Sequence, residues 1–148
     1  MLINLRKSQY EELITFFEME RQSHAREFVN ATPLAVHRKN FADDSVIYLT
    51  IQKADEKPVG YFILAIEEDR DSIEFRRILI DETQRGIGQA AITQMEEYCK
   101  NTLNATRIWL DVYEDNERGK HVYEKLGYKR FKTEEHSERL LYFYDKSL

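Results

Sequence analysis

Cysteine is nearly absent from the chain. Cys99 is the single thiol, which excludes an internal disulfide and fits a reducing compartment. Its apolar neighbours at helical spacing assign it to packing rather than to nucleophilic chemistry. Long apolar runs are also missing. Runs such as Val59-Gly60-Tyr61-Phe62-Ile63-Leu64-Ala65-Ile66 fall far short of the ~20 residues that a membrane helix needs, and the N-terminus carries no signal-peptide core. A soluble, cytoplasmic protein without a membrane partner is therefore expected. Positive charge is not in excess: 22 Lys and Arg against 27 Asp and Glu leave a net charge of -5. That balance argues against nucleic-acid binding, which depends on clustered Lys and Arg, and it permits a small cationic substrate. His24, His37, His121 and His136 are scattered without paired ligand spacing, so surface or packing roles are expected and no metal.

Repeats, low-complexity tracts and long linkers are lacking too, and 148 residues suit one domain, residues 1–148, as a monomer or homodimer. Met1 to Arg6 reads as a strand. Lys7 to about Gln22 places Tyr10, Leu13, Ile14 and Phe17 on one helical face. A second helix is expected after Thr32-Pro33, with Thr32 as cap and Pro33 in the first helical position. Three β-rich runs follow, Val46 to Gln52, Val59 to Glu67 and Ser72 to Ile80. Charged breaks at Asp55-Glu56-Lys57-Pro58 and Glu68-Asp69-Arg70-Asp71 make them an antiparallel meander. Gly88 to Asn101 is a helix whose apolar stripe is Ala91, Ile92, Met95, Tyr98 and Cys99. Arg107 to Tyr113 reads as a strand, Asn116 to Leu126 as a helix, and Tyr128 to Phe131 and Leu140 to Tyr144 as a closing strand pair. The sum is α+β: a mixed, mostly antiparallel sheet of about seven strands with helices on both faces.

The segment Arg85-Gly86-Ile87-Gly88-Gln89-Ala90 lies between a polar loop, Asp81 to Gln84, and the amphipathic helix. Glycines there let backbone N–H groups approach phosphate oxygens, and the helix dipole favours an anion by ~0.3–1 kcal/mol. A plain tight turn fits the same residues. So does the GxGxxA of dinucleotide folds, with Asp111 at a later strand end for a ribose contact, which would make the chain an oxidoreductase. Position speaks against that reading, because a polar loop intervenes after the strand and too little chain follows Asp111 for further βα units.

Gln/Arg-x-x-Gly-x-Gly/Ala is the coenzyme A loop of the GNAT N-acetyltransferase superfamily, and Arg85 to Ala90 resembles it at every specified position. The segment from Asn116 to Tyr128 resembles the family's Asn-x-x-Ala-x-x-x-Tyr-x-x-x-Gly-Phe, departing from it at Gly119 and Tyr128. The order of elements along the whole chain is also that superfamily's. The resemblance implies an acetyl-CoA-dependent N-acetyltransferase acting on a primary amine of a small molecule or peptide, by direct attack in a ternary complex. It further implies that Arg85, Gly86, Ile87, Gly88, Gln89 and Ala90 hold the pyrophosphate. Backbone groups along Ile78, Leu79 and Ile80 would pair with the pantetheine arm, with the Ile78 N–H as oxyanion donor, provided that the fourth and fifth strands splay apart. Asn116 is expected to cap its helix, either in that role alone or, as the resemblance implies, with a contact to that arm as well. Tyr123 corresponds to the tyrosine that protonates the leaving thiolate, with simple burial beside Val122 and Leu126 as the structural alternative, and Glu74 to a catalytic glutamate that some members carry. Strand alternation places Glu74 with Arg76, Ile78 and Ile80, and pairing with Arg76 is the structural alternative to a base role.

A non-catalytic acyl-CoA-binding module remains the other functional class. The resemblance implies that Arg21 to Phe41, including His24, Arg26, Glu27, Phe28, His37 and Arg38, belongs to the acceptor side, and these residues carry no readable substrate signature. Acidic Glu11, Glu12, Glu18 and Glu20 are compatible with a cationic acceptor, but a solvated helix face is the expected reading.

Overall fold

The computed structural model describes residues 3–22, 31–54, 57–81 and 86–148. Strand β1 spans Ile3–Lys7, and a 3-10 turn at Tyr10–Glu12 leads into α1, Leu13–Met19. Then come α2 (Leu34–Ala42), β2 (Val46–Lys53), β3 (Pro58–Ile66), β4 (Ser72–Ile80), α3 (Gly88–Asn101), β5 (Arg107–Tyr113), α4 (Glu117–Lys125), β6 (Lys129–His136) and β7 (Arg139–Ser147). Met1, Leu2, Asp55 and Glu56, included in the sequence-based elements, lie outside the described residues.

The seven strands form one sheet in the order β1-β2-β3-β4-β5-β7-β6. Every neighbouring pair is antiparallel except β4 with β5. The charged breaks around β3 therefore do produce a meander. A doubly wound parallel sheet is excluded, and the dinucleotide-binding oxidoreductase falls with it. Among the described residues, no helix is long and apolar enough to cross a membrane.

Strand alternation divides the core in two. Leu49, Phe62, Leu64, Ile73 and Phe75 pack beneath α3, whose Ala91, Ile92, Met95 and Cys99 are buried as the stripe predicts. Tyr48, Tyr61, Ile63 and Leu79 face α1 and its Leu13, Phe16 and Met19. Both faces of β2 and β3 are thus covered, which explains their nearly continuous apolar sequences.

The structure corrects three local expectations. The buried face of α1 is Leu13, Phe16 and Met19, while Tyr10 and Ile14 are each 49% exposed. The 3-10 lead-in turns at three residues rather than 3.6, so the face shifts in phase. In α2, Pro33 is the N-cap, with ψ 145°, and Leu34 takes the first helical position. Thr32 is used elsewhere: its N–H donates to Glu20 Oε1 at 2.9 Å and its hydroxyl accepts from Arg77 at 3.0 Å. The closing hairpin is longer than predicted, since Lys132 to His136 continue β6, and Ser137 and Glu138 turn it with φ of 52° and 66°.

Burial of tyrosine hydroxyls sets an alkaline limit to stability. Desolvation pushes Tyr48 and Tyr123 up to about 12 and raises Tyr61, Tyr128 and Tyr144 as well. Unfolded tyrosines ionise near the ordinary value of about 10, so the folded state binds more protons above that pH. Stability is fully present below pH ~10 and is lost as pH rises through the folded values. Chemical denaturation at stepped pH should show the midpoint constant from pH 8 to ~10 and falling steeply toward pH ~12.

Candidate active site

Strands β4 and β5 pair only at Ser72↔Arg107, Ile73↔Ile108 and Glu74↔Trp109. Beyond that point β4 stays with β3 as far as Gly60↔Ile80, while β5 stays with β7 as far as Tyr113↔Leu141. The two strands therefore open into a V whose closed end is the Glu74–Trp109 pair. This is the splay that the coenzyme reading requires. Gly60 is needed beside it, because a methyl group there would collide with the Leu79 carbonyl oxygen and crowd Ile80.

A β-bulge redirects the open arm of β4. Leu64 pairs with Phe75 and Ile63 with Arg77, leaving Arg76 unpaired. Ile73 and Phe75 lie on the α3 face, so Glu74 faces the α1–α2 side. After the bulge, Leu79 packs on the α1 side, while Ile78 and Ile80 pack on the α3 side. Simple alternation misplaced Glu74: it shares its face with Arg77 and Leu79 and not with Ile78 and Ile80. A single extra residue inverts the pattern downstream.

The open end of the V meets the start of α3. Gly86 has φ +78°, a backbone conformation that L side chains rarely adopt. Among the described residues, a Cβ on Gly86 or Gly88 would meet no atom within 4 Å. Ile87, 3% exposed, anchors the turn in the core and provides no side-chain cap to α3. The N–H groups of the first helical turn, Gly88, Gln89 and Ala90, are among those that a helix leaves without internal partners. Open space above glycines, uncapped amides and a helix dipole suit a pyrophosphate. Arg85, with Glu82, Thr83 and Gln84, lies outside the described residues.

Helix α4 enters from the β5 side. The Asn116 Oδ1 accepts from the Gly119 N–H at 2.9 Å, which makes Asn116 the N-cap. Gly119 has a plain reason: the three nearest heavy atoms to a Cβ there are all in Asn116, at 2.8–3.0 Å, so glycine leaves room for the cap. The Tyr123 ring packs edge-on against Phe75 of β4 at 5.8 Å and against Tyr128 at 6.0 Å. Tyr123 is thus part of the packing under the splay. Its hydroxyl, raised by desolvation and then by Asp111, stays protonated at physiological pH and can donate a hydrogen bond.

Glu74 Oε1 accepts from Arg76 Nε at 2.8 Å, so the ion pair foreseen as an alternative is present. Asp111 lies two residues along β5 from Trp109. Partial desolvation, followed by the charge of Glu74, raises its carboxyl, although the side chain still reaches solvent. Near the closed end of the V, each strand thus carries one carboxylate. Sequence considered Asp111 only for a ribose; its relation to Glu74 depends on a parallel pairing that local pattern does not reveal.

The acidic face expected on the first helix is only half present. Glu11 and Glu18 are exposed, but Glu12 accepts two bonds from Arg6 at 2.7 and 2.8 Å. Glu20 is fully buried. Its Oε2 accepts from Arg77 Nη1 at 2.6 Å, is hydrogen-bonded to His37 Nε2 at 2.7 Å, and takes a short hydrogen bond from the Tyr61 hydroxyl. His37 Nδ1 is bonded in turn to the Tyr48 hydroxyl at 2.6 Å. Burial opposes ionisation of Glu20, yet the bonds from His37, Tyr61 and Thr32 outweigh it and hold the carboxyl below its ordinary range. His24, Arg26, Glu27 and Phe28 of the expected acceptor region lie outside the described residues.

Comparison with known proteins agrees with this geometry. The crystal structure of spermidine N-acetyltransferase from Vibrio cholerae in complex with CoA and spermine superposes with TM-score 0.85 over 98% of this chain and 95% of that one, at 17% identity. An aminoglycoside acetyltransferase in complex with coenzyme A superposes with TM-score 0.82 over 99% and 95% of the two chains, at 21% identity. In sequence, an uncharacterized N-acetyltransferase of Mycobacterium tuberculosis is 27% identical over 107 residues, 72% of this chain and 68% of the relative. The profile of the Acetyltransferase (GNAT) family matches residues 6–128. The chain belongs to the GNAT family of acetyltransferases and is an acetyl-CoA-dependent N-acetyltransferase.

Proposed function

We propose that acetyl-CoA lies with its pyrophosphate on Arg85 to Ala90 and its pantetheine arm in the V, along Ile78, Leu79 and Ile80 and beside Asn116. The acceptor is a primary amine of a small molecule, approaching from the α1–α2 face. The single observation that carries this reading is the opening of the sheet between β4 and β5, which begins at Glu74 and leads to the uncapped start of α3. In the reaction the amine nitrogen bonds to the acetyl carbon, the C–S bond breaks, and the amine proton passes to Glu74. The Ile78 N–H stabilises the oxyanion, and Tyr123 donates to the departing thiolate.

Two features support an amine acceptor. Glu74 and Asp111 put negative charge where a cation would arrive, and the structural neighbours include enzymes whose names or complexes contain spermidine, spermine and aminoglycosides. No covalent acyl-enzyme is required. Cys99 is buried and its thiol is pushed up to about 12 by desolvation, so it is not a nucleophile at neutral pH. The test is a screen of polyamines, aminoglycosides, amino acids and peptides, read as release of free CoA thiol. Small-molecule amines should release thiol and peptides should not; the reverse preference would move the acceptor class to peptides.

A further inference from the structure

The bulge at Arg76 leaves a question of register. Without it, strict alternation from Phe75 would turn Arg77 toward the apolar core beneath α3 and exchange the faces of Ile78, Leu79 and Ile80. An arginine there would face Phe62, Leu64 and Ile73, all essentially unexposed. In the observed register its guanidinium lies on the opposite face, 2.6 Å from Glu20 Oε2 and 3.0 Å from Thr32 Oγ1. Glu20 is prepared for this role: His37 and Tyr61 bind the same oxygen, and the Thr32 N–H binds the other. Leucine, isoleucine and phenylalanine tolerate either face of a covered sheet, so residues 75–80 otherwise discriminate weakly between the two registers. The charge at position 77 is the strong discriminator.

We propose that Glu20 and Arg77 are positioning residues, which hold β4 in its bulged register and so fix the Ile78–Ile80 backbone edge for the coenzyme arm. This rests on the assignment of that edge to acetyl-CoA. Glu20 and Thr32 also bracket the connection between α1 and α2, so the same ion pair joins the acceptor side to the coenzyme side through β4.

The test compares Arg77→Met with Arg77→Lys. Methionine fits either face and gives up the discrimination; lysine keeps a charge that must stay with Glu20. Kinetics are measured well below each variant's Tm, together with deuterium uptake by residues 75–81. Arg77→Met should raise the KM for acetyl-CoA by roughly 10- to 100-fold and accelerate uptake. Arg77→Lys should stay near wild type in both, even where its Tm is lower. Should Arg77→Met fail to fold, Arg77→Leu, which also tolerates either face of the sheet, takes its place, with the same expectation. Wild-type KM and uptake in Arg77→Met or in its substitute would overturn the proposal and leave the network a purely stabilising one. Equal losses in the methionine and lysine variants would overturn it as well. If the wild-type protein does not bind acetyl-CoA, the coenzyme assignment of the edge falls, and uptake alone still decides the register.

Discussion

Replacing Glu74 with glutamine should lower kcat by about 10²–10⁴-fold, the range for a positioned general base, and leave acetyl-CoA affinity nearly unchanged. The expectation follows from its location. Glu74 sits at the closed end of the V, in the last residue pair before β4 and β5 separate, and faces the acceptor side. One carboxylate oxygen accepts from Arg76, which fixes the side chain without occupying both oxygens. The competing assignment is purely structural: a half-exposed ion pair between Glu74 and Arg76, of the kind that contributes ~0–1 kcal/mol. The two roles separate cleanly in experiment. A base gives a large loss in kcat with little change in Tm, whereas a structural pair gives a small change in Tm and none in kcat. Tyr123→Phe should likewise lower kcat with little change in Tm, because the ring stays packed against Phe75 and Tyr128 and only the hydroxyl is lost.

The second large effect is expected at the glycine turn. Gly88→Trp should fold at least as well as the wild type and lose acetyl-CoA affinity by roughly 100-fold or more, since each tenfold corresponds to 1.4 kcal/mol. Among the described residues a Cβ at Gly88 meets no atom within 4 Å, and replacing glycine in a helix gains up to ~1 kcal/mol in propensity. The proposed pyrophosphate would lie in this open space. An indole there would cover the amides of the first turn of α3 and block an anion from them. Calorimetric titration with acetyl-CoA checks this. Undiminished affinity in a well-folded Gly88→Trp would mean that the pyrophosphate lies elsewhere.

Much of this architecture was legible because it depends on local periodicity. Ser72–Ile80, Gly88–Asn101 and Arg107–Tyr113 have the bounds that alternation and the helical stripe predict. The glycine turn and the Asn116 cap were legible for a similar reason, since each needs a particular residue at a particular backbone position. What escaped was long-range. The bulge at Arg76 inserts one residue without any compositional mark, and it moved Glu74 away from the face of Ile78 and Ile80. Glu20 looked like one more solvated acid, because its partners Tyr61 and Arg77 are 41 and 57 residues distant in sequence. The splay of β4 from β5 is likewise a property of pairing, to which neither strand's own sequence refers.

In the proposed reaction, acetyl-CoA held in the β4–β5 opening gives its acetyl group directly to an amine bound at the same time on the α1–α2 face. Initial rates of thiol release over a grid of acetyl-CoA and amine concentrations test it most directly. Direct transfer in a ternary complex should give intersecting double-reciprocal lines. Parallel lines, the signature of a covalent acetyl-enzyme, or thiol release that is independent of the amine would contradict it.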